Sequence, residues 1–156
     1  MGGNRIRVAK DKAELVKALT LSEGTSGFFR HYTDVIVLAA SLGAKRKKRT
    51  PLGEISKREP GPIEEEYFIT KGYDLVIKLL TLAETKDAKI LSSHEKEYEE
   101  KRIHIFEEYA NGGLEILRDE LRGAVDYSER ILLLLSWERE KRTQSEEDFD
   151  LSRFLS

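Results

Sequence analysis

Residues 33–42 read Thr-Asp-Val-Ile-Val-Leu-Ala-Ala-Ser-Leu. On a helix, Val35, Leu38, Ala39 and Leu42 fall on one stripe, and Ile36, Val37 and Ala40 widen it over most of the circumference. A helix that is apolar nearly all round has to be enclosed by other elements, so this segment demands a multi-helix body around it. The spacing predicts a helix over Thr33–Leu42 with Gly43 as its left-handed C′ residue. The run Lys45-Arg46-Lys47-Lys48-Arg49 then stands where positive charge suits a helix C-terminus.

The flanking sequence supplies the rest of that body. Arg5-Ile6-Arg7-Val8-Ala9 alternates polar and apolar, which predicts a short half-exposed strand with Ile6 and Val8 turned to the core. Asp11 and Glu14 predict a capping box before a helix carrying Leu15, Val16 and Leu19, and Gly24–Gly27 predicts a turn. All three prolines lie in residues 51–62, the expected long loop. Tyr73, Val76, Ile77 and Leu80 predict a helix over about 72–85 that breaks at Lys86–Lys89. Ser92 and Glu95 predict a capping box opening a helix with Tyr98, Ile105, Phe106 and Tyr109. Asn111-Gly112-Gly113 is expected to interrupt it, with Leu114, Leu117 and Leu121 continuing beyond. Asp126 and Glu129 cap a last helix through Ile131–Trp137.

The expected fold is therefore mainly α, a compact bundle of five to six helices with one short N-terminal β-strand and a ribbon–helix–helix-like start. A single domain is expected over 5–141, divided into a basic part (5–50), a proline-containing loop (51–62) and an acidic helical part (63–141). The tail, 142–156, is expected to be mobile unless a partner holds it.

Charge is the second constraint. The formal net charge is only −2. Residues 1–60 nevertheless hold 13 Lys and Arg against 6 Asp and Glu, and residues 61–156 hold 14 against 23. Such asymmetry points to a localised binding surface. With no cysteine there is no disulfide, thiolate nucleophile or zinc–cysteine site. No apolar stretch is long enough to span a membrane, and the N-terminus lacks a signal-peptide h-region, so a cytoplasmic protein is expected.

Little in the chain suggests chemistry. His31, His94 and His104 match no metal-ligand spacing. There is no G-x-S-x-G elbow, P-loop or dinucleotide fingerprint. Glu64–Glu66 and Glu95–Glu100 read as solvated helix faces. No catalytic residue, metal or cofactor is expected, and the chain reads as a non-enzyme. The basic run reads in two ways. It can neutralise DNA phosphates together with Arg5 and Arg7, extended by Lys10, Lys12, Arg30, Lys57 and Arg58. It can equally be a solvated loop that complements a helix end and pairs with an acidic surface. The candidate nucleic-acid-binding residues are thus Arg5, Arg7, Lys45, Arg46, Lys47, Lys48 and Arg49. In a ribbon–helix–helix dimer Arg5 and Arg7 would face DNA from a strand paired with its twin.

These residues also carry a resemblance. Ile6–Lys12, Phe28-Phe29, Asp34–Gly43 with its basic follow-on, Phe68, Gly72-Tyr73-Asp74 and Tyr109–Leu114 resemble the DNA phosphorothioation-associated protein 4 family. The similarity runs through about residues 5–137. It implies an accessory role beside the dnd machinery, which places sulphur in the DNA backbone and restricts unmarked DNA as antiviral defence. It implies other proteins of that system as partners; DNA is expected from the basic run, and the acidic helices are expected to meet partner proteins or a second copy of the chain. Residues 5–43 also resemble the small α-helical DndE component. Neither resemblance brings site residues with it. If DNA is not contacted, the family context leaves a protein–protein adaptor or self-assembling scaffold.

Overall fold

The computed structural model describes residues 4–21 and 28–154, with side chains described through 141. The expected turn at Gly24–Gly27 lies outside the described residues. The chain divides into two compact units, Met1–Asp119 and Glu120–Ser156.

The first unit begins with β1 (Arg5–Ile6), a 3₁₀ turn (Lys10–Lys12), α1 (Ala13–Leu19) and α2 (Tyr32–Lys45). It continues with β2 (Ile63–Glu64), α3 (Glu65–Thr70), α4 (Asp74–Thr85), a second 3₁₀ turn (Ala88–Leu91) and α5 (Lys96–Leu121), whose last residues enter the second unit. The mainly helical expectation with an N-terminal strand holds. The strand's partner is β2 of the same chain, antiparallel, with Arg5 opposite Glu64 and Ile6 opposite Ile63. Ile6 and Val8 are buried as their alternation predicts.

α2 is enclosed as its composition demands, with Val35, Ile36, Ala39, Ala40 and Leu42 buried. It runs past the expected end, however. Gly43 lies inside the helix, and the left-handed residue at its end is Lys47, with φ 54°. Gly43 has a long-range cause: a Cβ there would overlap the Tyr109 carbonyl oxygen of α5. The same cause corrects the expected break at Asn111-Gly112-Gly113. α5 is one continuous helix through these residues. A Cβ on Gly113 would overlap the Ala39 carbonyl oxygen of α2, and one on Gly112 would overlap the Lys48 carbonyl oxygen. Three glycines thus let two helix backbones and the following loop approach more closely than any side chain would permit. The α5 core side chains Phe106, Leu114 and Leu117 are buried on the same helix, and Phe106 meets Phe68 of α3 edge-on at 5.8 Å.

Two of the three expected capping boxes do not form. Asp11 sits in the 3₁₀ turn, and α1 follows Lys12 without a side-chain cap. α5 starts at Lys96, so Ser92 lies outside it and accepts from the His94 N–H instead, at 3.4 Å. Loop 86–95 is anchored by buried Arg102, which donates to the Ile90 and Ser92 carbonyls at 2.6 and 2.8 Å. In the second unit Asp126 does cap α6 (Tyr127–Phe154), its carboxylate accepting from the Glu129 N–H at 3.3 Å. The backbone of that helix continues to Phe154 where a mobile tail is expected. Ile131 and Leu134 are buried, and Leu132, Leu133 and Trp137 are exposed.

Candidate nucleic-acid interface

The candidate cations come from two segments, β1 with its follow-on and the end of α2, and both meet the carboxylates of α5. Arg7 meets Glu107, which is 1% exposed. Its backbone N–H and Nε donate to Oε2 at 2.6 and 3.0 Å, and Nη2 donates to Oε1 at 3.0 Å. Arg49 reaches Glu108 through Nε and Nη2 at 3.0 and 2.7 Å, and Glu84 of α4 through Nη1 at 2.9 Å. Lys48 Nζ lies 3.1 Å from Glu115. Lys45 and Arg46, at the end of α2, are engaged as well. Lys47 is exposed. Arg5 is half-exposed and 3.8 Å from Glu64, its cross-strand neighbour.

Glu108, Asn111 and Glu115 are spaced i, i+3, i+7 and so share a face of α5. That face straps down the segment after α2. Thr50 donates its N–H to the Glu108 carbonyl at 3.1 Å, and Asn111 Nδ2 donates to the Thr50 and Pro51 carbonyls at 3.3 and 3.1 Å. Lys12, expected as an edge of a DNA-facing patch, is 1% exposed and lies inside this cluster. Its Nζ donates to Asn111 Oδ1 at 3.0 Å and to Asp11 at 3.2 Å, and sits 3.5 Å from Glu115. A buried ammonium needs these partners, because burying a charge without them is costly. Lys12, Lys48 and Arg49 are therefore brought together by Glu108 and Glu115 on one face of α5, and Arg7 is held by Glu107 on the adjoining face. Arg5 and Lys47 stand apart from these carboxylates.

Sequence reasoning passed over Glu107, Glu108, Asn111 and Glu115. The signal was present: they are the polar residues of an otherwise apolar stretch, Ile105–Leu117. Carboxylates there have to be matched by cations from elsewhere in the chain.

The electrostatics agree with tight pairing. Hydrogen bonding to Glu107 raises Arg7 above the usual guanidinium range. Burial opposes the charge on Arg49, but Glu108 and Glu84 outweigh it and raise its pKa. The Tyr109 hydroxyl, which donates to Glu84, and then Arg49 hold Glu84 below the usual carboxylate range. Burial opposes the charge on Glu115, yet Lys48 and Lys12 bring it lower on balance. Burial and Glu84 push Tyr109 up to about 12. A hydrogen bond to Asp34 pushes Tyr73 up to about 12 as well.

A pH profile follows. Depressed carboxylates stabilise the fold above their ordinary value of 4.5, and that contribution is lost as pH falls through their folded values. Raised tyrosines stabilise it below their ordinary 10.0, and that contribution is lost as pH climbs through about 12. The melting temperature is expected to hold a plateau near neutrality and to fall on both sides. Absorbance at ~295 nm should show a late tyrosine step near 12. A single step centred near 10.0 would contradict the pairing of Tyr73 and Tyr109.

Among the described residues no group of three or more His, Asp or Glu could hold a metal ion. Nor, among them, is any helix long and apolar enough to cross a membrane. Neither a curated protein nor a solved structure matches the chain. The likeness of residues 5–43 to DndE is not among these findings. The family model for DNA sulphur modification system-associated protein 4 matches residues 5–154. That match spans nearly the whole chain, which therefore belongs to the DNA sulphur modification system-associated protein 4 family.

Proposed function

We propose that this chain serves the DNA sulphur modification system as a non-enzymatic accessory component that works by contacting other proteins of the system, without holding DNA through its basic front. One observation carries the reading: the side chains of Arg7, Lys48 and Arg49 are already matched by Glu107, Glu115, Glu108 and Glu84 of the same chain. To bind phosphates these cations would have to give up partners that include a buried carboxylate. Exposed apolar side chains support protein contact. In the first unit α4 presents Leu75 and Leu79 one turn apart, and in the second α6 presents Leu132, Leu133 and Trp137. Self-association through such faces belongs to the same reading.

Fluorescence anisotropy of a labelled duplex, with and without phosphorothioate, tests it. The expected result is no saturable binding at low ionic strength and no change when Lys45–Arg49 are replaced by glutamine. Affinity that falls steeply with salt, by about 0.9 log unit per log unit for each phosphate neutralised, would establish the DNA-contact reading in its place.

A further inference from the structure

The first unit contains a groove of about 1040 Å³ where α2 begins. Its size suits a small organic ligand, and its wall combines apolar surface with many charged side chains. Tyr32 and Tyr67, with Leu21, Pro60 and Ile63, contribute the apolar part. Tyr67 is 63% exposed, an aromatic ring with much of its surface uncovered. Charged residues of both signs line it. On the acidic side, Glu64 stands opposite Arg5 at 3.8 Å, Glu59 accepts from the Tyr32 hydroxyl at 2.8 Å, and Glu66 completes the set. On the basic side, Lys71 is held by Asp34 at 2.8 Å. Lys17 has only a 4.0 Å approach to Glu14, which is itself 92% exposed. Arg30 has no ion pair among the described residues. Lys17 and Arg30 are thus two lightly held cations beside the start of α2, where His31 and Asp34 already cap the helix reciprocally.

A second observation is independent of the helix end. Thr33, the second residue of α2, is part of the groove wall and 4% exposed. Its hydroxyl is buried without any hydrogen-bond partner, alone in this among the described side chains. A buried polar group left unmatched calls for an explanation, and a missing ligand is one.

We propose that this groove binds a small organic phosphate of nucleotide size, its anion toward Arg30 and Lys17, and its ring system against Tyr32 and Tyr67. The site is separate from the α5 carboxylates and does not depend on how the chain contacts proteins or DNA.

Calorimetric titration of the full chain with deoxyadenosine monophosphate, deoxyadenosine and inorganic phosphate tests the assignment. The nucleotide should bind at least about tenfold more tightly than either fragment, because only it reaches both walls. Arg30→Ala and Tyr67→Ala should each weaken it by about tenfold, the range of one charge-assisted bond or one stacked ring. Thr33→Val keeps the shape and removes the hydroxyl. It should weaken nucleotide binding while melting at or above the wild-type temperature. Equal affinity for nucleotide and inorganic phosphate would overturn the proposal. So would unchanged affinity in Arg30→Ala, or a phosphorylated single strand binding far more tightly than the mononucleotide.

Discussion

Gly113→Ala is expected to destabilise the first unit by about 3 kcal/mol or more. On helix propensity alone the change should help, since alanine is favoured over glycine in a helix interior by about 1 kcal/mol. The added methyl, however, would overlap the backbone of Ala39 in α2, and neither partner is a flexible side chain that can swing aside. The two helices would have to separate, and the buried side chains around them would lose contacts. Gly43→Ala should act in the same direction, because its Cβ meets the Tyr109 carbonyl of α5. Urea denaturation of these variants beside Lys101→Ala, an exposed change on α5, measures the effect. Variants of Gly43 and Gly113 as stable as wild type would show that the two helices do not cross this closely.

Arg7→Ala should be the next most damaging. It leaves Glu107, 1% exposed, with one backbone N–H in place of a two-pronged guanidinium. Removing one partner of a buried pair costs roughly 3–5 kcal/mol, and the half-exposed position of Arg7 places the expectation toward the lower end, about 3 kcal/mol. Arg7→Lys should recover only part of the loss, because an ammonium cannot reproduce the fork. Glu107→Gln should cost less than Arg7→Ala, since the arginine left behind can reach water. Thermal melts of the three variants, ranked against one another, check the order.

Much of the architecture was legible because its causes are local. The segment Val35–Leu42 announced a buried helix by composition alone, and Asp126 with Glu129 marked the start of α6 through a contact three residues apart. Ile6 and Val8 were assigned to the core by simple alternation. What escaped has long-range causes. Asn111-Gly112-Gly113 looks like a helix terminator, and nothing nearby in sequence says that another helix needs the missing side chains. β2 is two residues long and exists through its pairing with β1, too short for any periodicity. The charge of the basic run was plain, but the partners of Arg49 lie 35 and 59 residues away in the chain. Arg7 and Glu107 are separated by 100. From sequence, the split between a basic 5–50 and an acidic 63–141 points to a localised binding surface. In the first unit four cations of the front, Arg7, Lys12, Lys48 and Arg49, instead supply counter-charges to α5.

That conversion of surface charge into internal charge is the central claim, and a double-mutant cycle on Arg7 and Glu107 tests it most directly. Stability would be measured by urea denaturation for wild type, Arg7→Ala, Glu107→Ala and the double variant. A coupling energy above about 1.5 kcal/mol is predicted, with the double variant less damaged than the two single losses combined. Additive losses, with coupling within about 0.5 kcal/mol of zero, would contradict it and return Arg7 to the pool of cations available to a phosphate backbone.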